Sequence, residues 1–86
     1  MKYMVIENYV GGAAAVYARA RDQGRMLPNG LHYLDSWVDA DSRDRCFQLM
    51  ETDDATLFEE WIARWSDLVT FEVIPVVSST TAADVS

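Results

Sequence analysis

The chain has 86 residues, half of them hydrophobic and 12% aromatic, enough for one packed core and too few for separate catalytic and binding domains. Its formal net charge is -7 and its Lys and Arg residues form no cluster, so no stripe exists to neutralise phosphates and nucleic acid is not an expected partner. A single cysteine, Cys46, excludes a disulfide framework and a paired-thiol metal site, which suits a reducing, cytoplasmic compartment.

The opening segment from Met1 to Glu7 meets an acid within a few residues and reads as a strand rather than a signal peptide. That first strand runs from Tyr3 to Tyr9, rich in β-branched and aromatic residues, and Gly11-Gly12 punctuates its end. Good helix formers follow from Ala13 to about Gln23, with Val16 and Tyr17 in an apolar stripe, and Gly24 stops the helix. Pro28 and Asn29-Gly30 mark a connection into a second strand, Leu31 to Val38. A polar turn, Asp39 to Asp44, joins it to a third strand, Arg45 to Glu51, so the two form a hairpin. Cys46 within it reads as a small buried hydrophobe rather than a reactive thiol.

Asp53 or Asp54 is placed to cap a second helix that runs to about Ser66. Leu57, Phe58, Trp61, Ile62 and Trp65 give it a wide apolar face. Val69 to Val77 forms a fourth strand, with Pro75 tolerable if the strand lies at a sheet edge. Residues 1–77 thus make one domain, and 78–86 read as a polar, flexible C-terminal tail. No apolar run approaches the ~18 to 20 residues that span a bilayer, and no membrane partner is expected.

The order β, α, β, β, α, β with right-handed crossovers predicts an α+β, ferredoxin-like domain: a four-stranded antiparallel sheet carrying both helices on one face. A sheet covered on one side only alternates apolar with polar residues. Here Met4 and Ile6 oppose Tyr3 and Val5, and Phe71, Val73 and Pro75 oppose Ile74 and Val76. Both faces call for cover. Domains this small often gain stability by burying more surface in an oligomer, and the simplest second cover is the same sheet from another copy, in a homodimer.

Met1-Lys2-Tyr3-Met4-Val5-Ile6-Glu7, Gly24-Arg25-Met26-Leu27-Pro28, Ser36-Trp37-Val38, Arg45 to Glu51, Trp61 to Asp67 and Phe71 to Val76 together resemble the DUF3303 proteins of unknown function, small members of the dimeric α/β-barrel superfamily. The resemblance implies the fold and the dimer. The wider superfamily contains cofactor-free monooxygenases, haem-degrading enzymes, isomerases and ligand-binding proteins, often with a pocket between sheet and helices. One fold hosts many chemistries, so no single activity carries over.

His32 is the only histidine and the natural candidate for a general base, although its ordinary reading is a structural or surface residue. Simple alternation sets His32 and Ser36 on one face, with Tyr33, Asp35 and Trp37 on the other. Aligning Trp37 with Phe47 places Ser36 against Gln48, Asp35 against Leu49 and Tyr33 against Glu51. In that register Tyr33, Asp35 and Glu51 meet aromatic surface, a composition suited to a small-molecule pocket; the competing reading pairs them with Arg25 or Arg45 at a dimer seam. Trp61 and Trp65 roof such a pocket or simply belong to the core, and Asn8, Gln48 or a carbonyl would satisfy an indole N–H. The candidates are therefore His32, Tyr33, Asp35 and Glu51 for catalysis, and Asn8, Trp37, Gln48, Trp61 and Trp65 for ligand binding. Asn8 is similar to an asparagine near substrate in haem-degrading relatives, but those take a histidine from a helix and neither helix here carries one. No metal-ligand spacing and no phosphate-cradling glycine motif occurs, Gly11-Gly12 alone being too weak, so neither metal nor cofactor is expected. A small apolar or aromatic ligand, with cofactor-independent monooxygenase or isomerase chemistry, is the leading expectation. A non-catalytic dimeric accessory protein is the alternative.

Overall fold

The computed structural model describes residues 1–85. Lys2–Tyr9 forms β1, Ala13–Gln23 α1, His32–Val38 β2, Arg45–Glu51 β3, Leu57–Ala63 α2, Val69–Val76 β4 and Ser79–Val85 α3. All neighbouring strands pair antiparallel in one sheet, ordered β2-β3-β1-β4. This is the expected ferredoxin-like α+β topology. Pro75 sits in β4, an edge strand, where its missing N–H costs no ladder bond on the open side.

Directly paired residues share a face, so the registers sort the sheet into two sides. Tyr3, Val5, Glu7 and Tyr9 of β1 lie with Met50, Gln48 and Cys46 of β3 and with Val73, Phe71 and Val69 of β4. The helices cover this side: Val16 of α1 and Phe58 and Trp61 of α2 join Val5, Tyr9, Cys46, Met50 and Val69 in the core. Edge-on ring contacts of Tyr3 with Phe58 and of Trp61 with Phe71 tie α2 to the strands. The opposite side carries Met4, Ile6, Phe47, Leu49, Trp37, Ile74 and Val76. No helix among the described residues is long and apolar enough to cross a membrane.

The sequence-derived register is corrected at one end of β2. Trp37 faces Phe47, Ser36 faces Gln48 and Asp35 faces Leu49, as expected, but Tyr33 then faces Met50 and His32 faces Glu51. A β-bulge at Leu34 takes up the extra residue. It turns Tyr33 to the helix side, where its hydroxyl shares a 2.7 Å hydrogen bond with Ser36 Oγ. His32 is turned to the open side. Strict alternation fails there because one bulged residue inverts every side chain beyond it.

The second helix is shorter than its apolar stripe suggests. Leu57, Phe58 and Glu59 donate to Asp54, Ala55 and Thr56, and Arg64 and Trp65 donate to Trp61 and Ile62, so both ends of α2 tighten into three-residue turns. Of the two capping candidates, Asp54 makes the contacts: its Oδ1 accepts from Thr56 N at 3.0 Å and Thr56 Oγ1 at 2.6 Å. Where a polar tail was expected, α3 forms behind Ser78, whose Oγ accepts from Thr81 N at 3.1 Å; Ser86 lies outside the described residues. Arg19 of α1 clamps the turn before β4 through paired bonds of 2.7 and 2.6 Å to Asp67.

Candidate functional site

On the side of α1 towards the sheet, Ala20 and the following Gly24 add little volume beside Val16 and Tyr17, and helix and strands do not close on one another there. The space left is a half-open cavity of about 250 Å³ lined by Val16, Ala20 and Gly24 above and by Glu7, Cys46 and Gln48 below, with Trp61 and Trp65 at one side. Tyr9, Tyr17, Arg25, Ser36 and Val38 complete the wall. Its lining is mainly aromatic and apolar with few polar groups, the composition of a small-molecule site.

Glu7 and Gln48 are the polar groups of the buried wall, only 5% and 7% exposed. Gln48 Nε2 donates to Glu7 Oε1, while Gln48 Oε1 is buried without a partner among the described residues. An unpaired buried acceptor costs about 1–3 kcal/mol, so the site is short of one donor. Burial pushes the Glu7 carboxyl up to about 7, against the opposing pull of the Arg25 charge. A carboxyl poised there exchanges protons readily at neutral pH.

Burial also raises the Cys46 thiol, and the charge of Glu7 adds to the effect, which disfavours the thiolate that a nucleophile needs. The Tyr9 hydroxyl is likewise held well above its ordinary range, by burial first and then by Cys46 and Glu7. Both groups stay protonated, leaving Glu7 as the group of this wall that titrates near neutrality.

Arg25 stands at the rim on a strap between α1 and β2. Gly24 and Met26 adopt left-handed backbone conformations at φ 68 and 57, and the Arg25 carbonyl between them accepts from both Trp61 Nε1 and Trp65 Nε1 at 3.0 Å. Arg64 Nη1 donates to the next carbonyl, of Met26, at 2.5 Å. The Arg25 guanidinium lies 3.6 Å from the centre of the Tyr33 ring.

Comparison with protein families matches DUF3303, a domain of unknown function, over residues 1–86. The chain belongs to the DUF3303 family. No curated protein and no solved structure matches this DUF3303 chain.

Among the residues singled out from the sequence, the structure brings Gln48, Trp61 and Trp65 to the cavity and sets Tyr33 behind it, bonded to Ser36 and under Arg25. The others lie elsewhere. His32 and Glu51 face each other across β2 and β3 and line a separate depression with Asp53 and Asp54. Asp35 and Trp37 are on the open side of the sheet, where Asp35 Oδ1 accepts from Ser36 N at 2.8 Å, and Asn8 is exposed at the end of β1 beside Arg45 and Thr70. Sequence reasoning missed Glu7 and Arg25 as pocket groups. Alternation already set Glu7 between Val5 and Tyr9 on the covered face, a buried acid among apolar neighbours, and that was the available signal. Arg25 had none, because its position depends on the strap.

Proposed function

We propose that this DUF3303 protein is a homodimer that binds a small, partly apolar or aromatic molecule between sheet and helices, with Glu7 as the group that exchanges a proton with it. The observation that carries the reading is the buried Glu7–Gln48 pair on the cavity wall, with Gln48 Oε1 lacking a donor. A bound hydroxyl or N–H would supply that donor. The chemistry this favours is cofactor-independent: the Glu7 carboxylate takes a proton from one ligand atom and the resulting acid returns it to another, an isomerisation that leaves the enzyme unchanged. A monooxygenase would begin with the same deprotonation and require dioxygen as a second substrate.

The dimer is supported by the open sheet face, where Trp37 is 52% exposed beside Phe47, Leu49, Met4 and Ile74. A cytoplasmic location belongs to the same reading and draws support from the free thiol of Cys46. Native mass spectrometry of freshly purified protein tests the ligand and the assembly together. The expected result is a dimer carrying added mass that is lost in Glu7→Gln. A clean dimer, unaltered by that substitution, would instead favour the accessory-protein reading.

A further inference from the structure

Arg25 is the arginine that lines the cavity. Arg19 pairs with Asp67 and Arg45 with Asp39, whereas the Arg25 guanidinium has no ion pair among the described residues although acids outnumber Lys and Arg by 14 to 7. Arg21, Arg43 and Arg64 are likewise without an ion pair among the described residues, but Arg64 is held by the Met26 carbonyl and Arg21 and Arg43 are exposed away from the cavity lining. Arg25 lines the cavity, and its backbone is fixed there by both indoles while Tyr33, itself held by Ser36, supports its side chain. Such a cation at the rim of a pocket lined mainly by aromatic and apolar groups is placed for an anion, and arginine suits a planar carboxylate in particular. The sheet wall of the same cavity offers a complementary need, the unpartnered Gln48 Oε1.

Resting on the cavity as a ligand site, we infer that its ligand is a small ring acid: its carboxylate pairs with Arg25, its apolar ring lies against Trp61 and Trp65, and a hydroxyl or N–H on the ring donates to Gln48 Oε1. The size agrees. A cavity of about 150 Å³ accepts benzene, so one of about 250 Å³ takes a single ring with two substituents. An incoming anion also favours the protonated form of Glu7, so wherever Glu7 was ionised it takes up a proton from solvent as the ligand binds. The other titratable groups of the wall, Tyr9, Tyr17 and Cys46, are uncharged in their protonated forms and do not oppose the anion.

Isothermal titration calorimetry of the full chain with para-hydroxybenzoate and its neutral isostere para-hydroxybenzamide tests the inference, at a pH below the Glu7 midpoint of about 7. The acid should bind roughly tenfold to a hundredfold more tightly than the amide, the range set by one charged hydrogen-bonded contact. Arg25→Met should reduce acid binding to the level of the amide and leave the amide unchanged, because the backbone carbonyl that the tryptophans hold is retained; Arg25→Lys should fall between. Equal affinities for acid and amide, or an Arg25→Met variant that still prefers the acid, would overturn the anion while the pocket stands. Binding of neither probe would remove both the anion and the ligand pocket.

Discussion

Glu7 faces Cys46 on one neighbouring strand and Phe71 on the other, and the free energy of placing an acid there depends on pH. Its ordinary value of 4.5 is raised to about 7 by burial. Between those values the folded chain holds a proton that the unfolded chain has released, so stability falls as pH rises through this window. The loss amounts to about 3 kcal/mol if the whole shift is expressed. Denaturant titrations across the window should show this decline in the wild type and a nearly flat profile in Glu7→Gln, whose amide keeps the shape without the charge. A wild-type profile as flat as the variant's would mean that Glu7 is solvated and not the poised group described above. The exposed acids Asp39, Asp54 and Asp67, held below their ordinary range by hydrogen bonds, act in the opposite direction and at more acid pH, so they do not imitate the signal.

At the level of elements, the pocket depends on how the strap is fastened to α2 and the turn beyond it. One carbonyl, of Arg25, accepts both indole N–H groups. Either tryptophan alone keeps it satisfied, and removing both leaves it bare. Trp61→Phe and Trp65→Phe should therefore be non-additive, the double variant losing about 1 kcal/mol more than the sum of the singles in a denaturation cycle. Additivity within a few tenths would show that the strap is held by other contacts. The strap was not legible in the sequence because its course depends on the left-handed backbone at Met26, which no residue preference signals there. By contrast, β1 and β3 as strands and the apolar face of α2 were legible, since each reflects a residue pattern repeated over several positions. The Trp37–Phe47 end of the hairpin followed the same logic. The Leu34 bulge defeated it locally, moving Tyr33 to the pocket side and His32 away from Ser36. The acid at position 7 was visible to alternation, yet its type argues against burial, and only the Gln48 amide and the cavity explain why it is tolerated.

For the molecule as a whole, the two sides of the sheet present different problems. One is covered by the helices, and the other leaves Met4, Leu49 and Ile74 in one paired row across β1, β3 and β4, flanked by Ile6, Phe47 and Trp37. Contiguous apolar surface of this kind marks an interaction site. Two copies joined about a two-fold axis would bring Met4 of one near the same row of the other, because a self-complementary patch repeats its own centre. A charge placed there is carried twice into the same interface, where it is desolvated without a partner, whereas in an isolated chain it remains in water at little cost. Met4→Lys should thus convert a dimer to a monomer in sedimentation velocity while the near-ultraviolet signal of Trp61 and Trp65 on the other side persists. Mass action adds a second signature: the wild-type melting temperature should rise with protein concentration, and that of Met4→Lys should not. A wild type that sediments as a monomer at micromolar concentration would refute the homodimer. A Met4→Lys variant that stays dimeric would move the contact to another surface, with the exposed edges of β2 and β4 the next to vary.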